Sequence, residues 1–210
     1  MIAVIDFGMG NIHSCLKAIS LFTKDFKLVT DPMELKNAKG VILPGDGAFE
    51  KAMQNLKSMK MKDALDEYVY YEKPIFGICI GFQILFENSE ESTIKDNIVP
   101  GFGWIHGNIK RFKGKIYKVP HMGWNKIHFA TRKKVSLLDG VADRSYMYFI
   151  HSYRPTNVEE DSVLATCSYY EESFPVVVEK NNIFGTQFHP EKSDTTGLKI
   201  LQNFIGIANS

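Results

Sequence analysis

Pro74-Ile75-Phe76-Gly77-Ile78-Cys79-Ile80-Gly81-Phe82-Gln83 reads as a buried strand that turns sharply into a helix, with a cysteine on the turn and a glycine two positions away on each side. A side chain raised on so tight a turn forces a strained backbone, and bulk at the flanking positions would collide with strand and helix. The start of the following helix is expected to aim unpaired N–H groups and the positive end of its dipole at the sulfur, favouring a thiolate or a developing oxyanion. A strand–cysteine–helix elbow of this kind belongs in a layered α/β protein.

The flanking sequence repeats the pattern. Ile2 to Ile5, Phe26 to Val29, Gly40 to Leu43 and Pro74 to Ile78 are short apolar runs that suit strands of a parallel sheet covered on both faces. Between them, Ala48, Phe49, Ala52, Met53 and Leu56 recur at helical spacing, as do Met61, Ala64, Leu65, Tyr68 and Val69. Gly8 to Ser14 lies where a phosphate-binding loop would, but it lacks the G-x-G-x-x-G spacing, which disfavours a dinucleotide site. From about Gly101 the texture changes to polar-alternating segments, Trp104 to Phe112, Asn125 to Phe129 and Tyr146 to Tyr153, expected to form antiparallel structure added to the parallel core. Leu198, Leu201, Phe204, Ile205 and Ala208 predict a closing amphipathic helix. A single domain over residues 1–210 is expected.

Composition excludes several function classes. The 210 residues are 44% apolar and 23% charged, as in an ordinary domain with a sizeable core. The net charge of +1 supplies no field for nucleic acid or an anionic membrane, so a small molecule or a protein is the expected partner. The three cysteines, Cys15, Cys79 and Cys167, are widely spaced and odd in number, which fits neither a disulfide framework nor a zinc cluster and points to a reducing, cytoplasmic setting. No metal or cofactor is expected. Met1 to Gly8 is too short an apolar run for a membrane span and reads as the first strand.

Far downstream, Gly185-Thr186-Gln187-Phe188-His189-Pro190-Glu191 ends an apolar run on a histidine. A histidine just past a parallel strand lies at the edge of the sheet where ligand crevices form. Glu191 is placed to accept the imidazole N–H that faces away from a thiol, holding the tautomer that base catalysis needs. Taken singly, each residue has a plainer reading: a surface histidine after an edge strand, a solvated glutamate, and, for Cys15 and Cys167, small buried hydrophobes.

Gly77 to Gln83 together with Phe188-His189-Pro190-Glu191-Lys192-Ser193 resembles the class I, or triad, glutamine amidotransferases. Asp6 to Asn11, Leu43 to Phe49, Pro120 to Asn125 and His151-Ser152-Tyr153 extend the similarity over essentially the whole chain, more closely to the glutaminase subunits of imidazole glycerol phosphate synthases. The resemblance implies a three-layer α/β fold with a mostly parallel central sheet, helices on both faces and an added antiparallel β section. It implies that Cys79 is the nucleophile, His189 the general acid and base, and Glu191 the residue that orients it. It further implies an oxyanion site from Gly45, Asp46, Gly47 and Ile80, and binding of the amino-acid end of L-glutamine by Gln83, His151, Ser152 and Tyr153. Ammonia would pass to a (β/α)-barrel cyclase held as a heterodimer partner, facing Asn11, His121, Met122, Trp124 and Asn125. The product would serve histidine biosynthesis.

This chain departs from the family pattern at Asp46, where an apolar residue is usual, and at Ile80 and Phe82, usually leucine and methionine. The alternatives are a paralogue that supplies ammonia to a sugar-amidinating synthase and a non-catalytic binding protein; the intact Cys79, His189 and Glu191 set argues against the second. Without the family match, Trp124 reads equally as a core aromatic or an exposed interface anchor. Lys110 to Lys118 reads as a solvated basic hairpin, with docking of an acidic partner face as the other reading.

Overall fold

The structure, a computed structural model, describes residues 1–10, 12–114, 117–130 and 135–210. Its first part alternates β1 (Ile2–Ile5), α1 (Ile12–Ile19), β2 (Phe26–Val29), β3 (Gly40–Leu43), α2 (Phe49–Ser58), α3 (Met61–Tyr70), β4 (Ile75–Ile78) and the single turn α4 (Ile80–Gln83). Strands then dominate: β5 (Phe86–Ser89), β6 (Val99–Pro100), β7 (Ile105–Arg111), β8 (His121–Phe129), β9 (Tyr146–His151), β10 (Tyr153–Thr156), β11 (Val163–Tyr169), β12 (Glu172–Lys180) and β13 (Ile183–Thr186), before α5 (Asp194–Asn209).

The runs in β1, β3 and β4 are strands with both faces covered, whereas β2, at the edge of the sheet, leaves Lys27 and Leu28 exposed and is not the doubly covered strand its sequence suggests. In β1, Ile2 and Val4 face a cluster containing Cys15 and Ile19 of α1 and Ile200 and Phe204 of α5. Ala3 and Ile5 face the opposite cluster with Phe49, Ala52 and Leu56 of α2 and Leu65 of α3. Alternation of side chains across the pleat thus sends one strand into two cores and produces three layers.

The central sheet has nine strands in the order β2-β1-β3-β4-β13-β12-β11-β8-β9. It is parallel from β2 to β13 and antiparallel from β12 outward. The expected antiparallel section is therefore largely a continuation of the same sheet. The segment Trp104 to Phe112 goes elsewhere: β7 belongs to a separate four-stranded sheet, β10-β7-β5-β6, whose Ile105 and Ile109 pack into the α2 and α3 side of the core. The run from Tyr146 to Tyr153 is likewise divided. At Ser152 the chain leaves β9, paired with β8, and enters β10, paired with β7.

This corner is held by a buried ion pair. Arg154 donates from Nε to Glu172 Oε2 at 2.7 Å and from Nη2 to the same oxygen, while Glu172 Oε1 accepts the Lys113 N–H at 2.9 Å. The guanidinium also lies 5.6 Å from the centre of the Phe112 ring. Breaking such a pair leaves an uncompensated buried charge, so it fixes the junction of the two sheets. Of the basic segment 110–118, Lys115 and Ile116 lie outside the described residues. Among the described residues no helix is long and apolar enough to cross a membrane.

Candidate active site

Insertion of β13 beside β4 decides where the chemistry can occur. The two strands are parallel and in register, Thr186 opposite Ile78, so the residues that follow them emerge at the same edge of the sheet. Cys79 follows β4 at φ 55° and ψ −103°, a backbone conformation that costs of order 1–3 kcal/mol in a residue with a side chain. Its N–H donates to the Thr186 carbonyl at 2.9 Å. A methyl on Gly77 would stand 2.4 Å from the Gly81 oxygen, and one on Gly81 would stand 1.8 Å from the Leu43 oxygen. Both elbow glycines are therefore demanded by backbone packing on either side of the cysteine.

The helix after the elbow is shorter than the sequence suggests. α4 closes a single turn before the chain leaves for β5, so it carries little macrodipole. Its first N–H, on Ile80, is already engaged by the Gly45 carbonyl at 3.4 Å, and Ile80 packs its Cγ2 against Gly45.

His189 is fixed through its backbone as well as its ring. Its N–H donates to the Tyr148 carbonyl of β9 at 3.1 Å; Ser193 Oγ donates to the His189 carbonyl at 2.6 Å and accepts the Tyr148 N–H at 2.9 Å. Nδ1 lies 2.7 Å from Glu191 Oε1. An ionised carboxylate only accepts, so Nδ1 carries hydrogen in that bond. The opposite nitrogen, Nε2, is buried without a hydrogen-bond partner. Burial by itself lowers the basicity of this imidazole, but the neighbouring Cys79 and then Glu191 outweigh it and push its pKa up to about 10.

The Cys79 Sγ lies 3.9 Å from the Ile150 carbonyl and 4.0 Å from Gln187 Nε2. It opens on a cavity of about 320 Å³ whose wall includes Asp46, Gln83, Glu91, His151, Ser152 and Tyr153. A pocket of this size, with polar groups converging on a strained cysteine and an unpartnered histidine nitrogen, has the parts for acyl transfer.

A family model described as "Glutamine amidotransferase class-I" matches residues 3–207. The chain is 44% identical over 209 residues to the imidazole glycerol phosphate synthase subunit HisH of Shouchella clausii, covering 97% of each. It is 41% identical to the protein of the same name from Bacillus cereus, over 100% of this chain and 96% of the relative. This chain belongs to the class-I glutamine amidotransferase family. Its fold is shared by a solved glutamine amidotransferase at TM-score 0.75 and 18% identity, covering 100% of this chain and 99% of that one. A putative GMP synthase protein from Thermoplasma acidophilum superimposes at TM-score 0.73 and 23% identity, over 99% and 93% of the two chains.

In this amidotransferase, Cys79 lines one cavity with Gln83, His151, Ser152 and Tyr153, and His189, bonded to Glu191, stands beside Cys79. Gly45 and Ile80 face each other through a backbone hydrogen bond in which the Gly45 carbonyl, an acceptor, points at the Ile80 N–H. Asp46 and Gly47 line the cavity, and the Asp46 carboxyl lies over Gly10, where an added methyl would be 2.3 Å from Oδ1.

The residues expected to face a partner divide. Met122 and Trp124 are 58% and 53% exposed, and with Tyr146 and Ile150 they form an apolar surface on the β8–β9 ribbon. Trp124 is thus no core aromatic; its ring meets Tyr148 edge-on at 6.0 Å. His121 is buried and offers no surface to a partner, and Asn125 is half-buried, bonded to His121 and to the Ser168 carbonyl. Asn11 lies outside the described residues.

Glu91 is the cavity residue that sequence reading missed. It looks like one of two solvated acids in Ser89-Glu90-Glu91-Ser92, yet its Oε2 accepts the Phe49 N–H at the start of α2 at 2.8 Å, and it lines the cavity. Burial pushes its carboxyl above the usual range. No local signal marks it, because its partner is 42 residues away. Cys15 and Cys167 are buried, as their apolar settings predict, and burial pushes the Cys167 thiol up to about 12.

Proposed function

We propose that this chain is the glutaminase subunit of an imidazole glycerol phosphate synthase, acting in the cytoplasm, with Cys79, His189 and Glu191 as its catalytic set. The observation that carries the reading is the buried, unpartnered Nε2 of an imidazole whose other nitrogen is held by Glu191 and whose basicity responds to Cys79.

With the proton already on His189, whose basicity Cys79 and Glu191 raise, Cys79 Sγ attacks the side-chain amide carbon of glutamine as the thiolate. Glu191 stabilises the imidazolium. His189 gives the proton to the amide nitrogen, the C–N bond breaks, and ammonia leaves a glutamyl thioester. Water then attacks the thioester, loses a proton to His189, and releases glutamate with the thiolate restored. The cavity supports binding of an amino acid, since Glu91 supplies a carboxylate for an α-ammonium and Gln83 and Tyr153 supply neutral polar groups.

The oxyanion donors are incomplete in this conformation, because the Gly45 carbonyl occupies the Ile80 N–H. Rotation of the Gly45–Asp46 peptide would withdraw that carbonyl and present the Asp46 N–H to the tetrahedral intermediate, as electrostatic stabilisation requires. Low turnover in isolation and stimulation by a ligand-loaded partner follow. The (β/α)-barrel cyclase would dock on the exposed Met122–Trp124 face, which adjoins the cavity at Ile150. Free ammonia in neutral water becomes non-nucleophilic ammonium, so direct transfer to a second site is chemically needed.

The test is Cys79→Ala in the complex with the cyclase. Glutamine-dependent synthesis is expected to vanish while synthesis from added ammonium persists. Undiminished glutamine-dependent product would overturn the assignment.

A further inference from the structure

His121 and His151 stand opposite each other in the β8–β9 ladder, both buried. His151 Nδ1 lies 2.8 Å from the Tyr153 carbonyl, His151 Nε2 lies 3.0 Å from His121 Nδ1, and His121 Nε2 lies 3.2 Å from Asn125 Nδ2. Asn125 Nδ2 also donates to the Ser168 carbonyl at 2.9 Å, and its Oδ1 accepts the Lys126 N–H at 2.8 Å.

Only one proton arrangement satisfies every link. A carbonyl accepts, so His151 carries hydrogen on Nδ1 and its Nε2 must accept; His121 therefore donates from Nδ1, and its Nε2 accepts from the Asn125 amide. Both rings are neutral, and a further proton on His151 would set two N–H groups head to head. Burial agrees, holding His121 down to about 4 and His151 to about 3, the latter with added repulsion from His121 and His189. Stacking on Phe149 at 4.7 Å and Tyr169 at 4.2 Å keeps the His121 ring in its plane.

The relay ends at the cavity. The Tyr153 carbonyl that receives His151 also receives Gln83 Nε2 at 3.0 Å, and the same Nε2 donates to Gln187 Oε1 at 2.9 Å. Both amide hydrogens of Gln83 are thereby engaged, so the group it offers a ligand is its oxygen, an acceptor suited to an α-ammonium.

We propose that His121 is a positioning residue for glutamine: anchored by Asn125, it fixes the tautomer of His151 and, through the Tyr153 carbonyl, the orientation of the Gln83 amide. His121 thus links the strand that carries exposed Trp124 to the amino-acid end of the substrate cavity. The kinetic part of this inference rests on the glutamine-hydrolysing function proposed above; the tautomer part does not.

The experiment compares wild type, His121→Leu and His121→Asn at saturating cyclase, with imidazole ¹⁵N–¹H spectra of the full chain at pH 7. His121→Leu keeps apolar bulk but removes the donor, and is expected to raise the glutamine KM about tenfold with kcat within twofold, the size of one lost hydrogen bond. In His121→Asn, Nδ2 stands in for the ring Nδ1 and recovers most of that loss, a rescue that a merely structural role would not give. The spectra are expected to show Nδ1–H tautomers for both histidines in wild type. An unchanged KM in His121→Leu, a KM defect equal in both variants, or an Nε2–H tautomer at either histidine would overturn the proposal. If His121→Leu does not fold, the wild-type spectrum and the His121→Asn KM decide. Absence of glutamine hydrolysis by wild type would fault the proposed function, with the spectra still testing the relay.

Discussion

Replacing Glu191 by glutamine removes a buried charge while keeping the shape of the site. The Glu191 side chain is 6% exposed and meets the His189 Nδ1 at 2.7 Å. A glutamine oxygen can accept the same N–H, so the tautomer survives and the charge alone is lost. Two unit charges about 4 Å apart attract by about 4 kcal/mol at an effective dielectric of about 20, and the net worth of a hydrogen bond to a charged group is about 1.5–3 kcal/mol. Taking 2–3 kcal/mol as the approximate loss in the step where His189 holds the proton, thioester formation should slow roughly 30- to 150-fold.

Stability supplies an independent readout. The His189 pKa is raised in the folded protein, to about 10, so its contribution is fully present below the unfolded value of about 6.5 and is lost as pH rises through about 10. Any stability advantage of wild type over Glu191→Gln that arises from the imidazolium should be largest near pH 6 and shrink toward pH 10. Single-turnover acylation of the complex and urea unfolding at several pH values measure the two effects. Acylation within threefold of wild type, or a stability gap that does not change with pH, would refute the role given to Glu191.

Gly81→Ala should destabilise the fold by at least about 3 kcal/mol, because its methyl would meet the Leu43 carbonyl at 1.8 Å; that is a drop in Tm of roughly 6–12 °C for a chain of this size, and an unchanged melting curve would contradict the close approach. Trp124→Ala should alter the stability of the isolated chain by no more than about 0.5 kcal/mol yet weaken cyclase binding by about 2 kcal/mol, roughly thirtyfold. Equal affinity by titration calorimetry would move the interface off the β8–β9 ribbon.

Much of the parallel half is legible locally. Ile2 to Ile5 and Gly40 to Leu43 form strands at the residues their apolar runs mark, because burial on both faces writes itself into consecutive residues; Phe26 to Val29 also forms a strand, but at the sheet edge with Lys27 and Leu28 exposed. The second half is less legible. Trp104 to Phe112 and Asn125 to Phe129 share the same alternating texture, yet they enter different sheets, since alternation reports one buried face and not which partner covers it. The division of Tyr146 to Tyr153 at Ser152 depends on pairing with Arg111, far away in sequence.

The candidate site divides in the same way. Cys79 and Gly77 are visible because the strained turn and the contact of Gly77 with Gly81 act within a few residues, although Gly81 is also held by Leu43 of β3; Glu191 lies within reach of His189 along the chain. Sequence alone thus determined a cysteine on a strand–helix elbow, a histidine with a carboxylate two residues on, and the family that carries them. Tertiary structure decided the rest: that β13 lies beside β4 and brings His189 to Cys79, that Glu91 belongs to the cavity, that His121 turns inward while Trp124 stays in solvent, and that the Gly45 carbonyl occupies the Ile80 N–H. The reason is common to all four. Each is settled by contacts between segments distant along the chain, where pairing and burial, not local propensity, set the free energy.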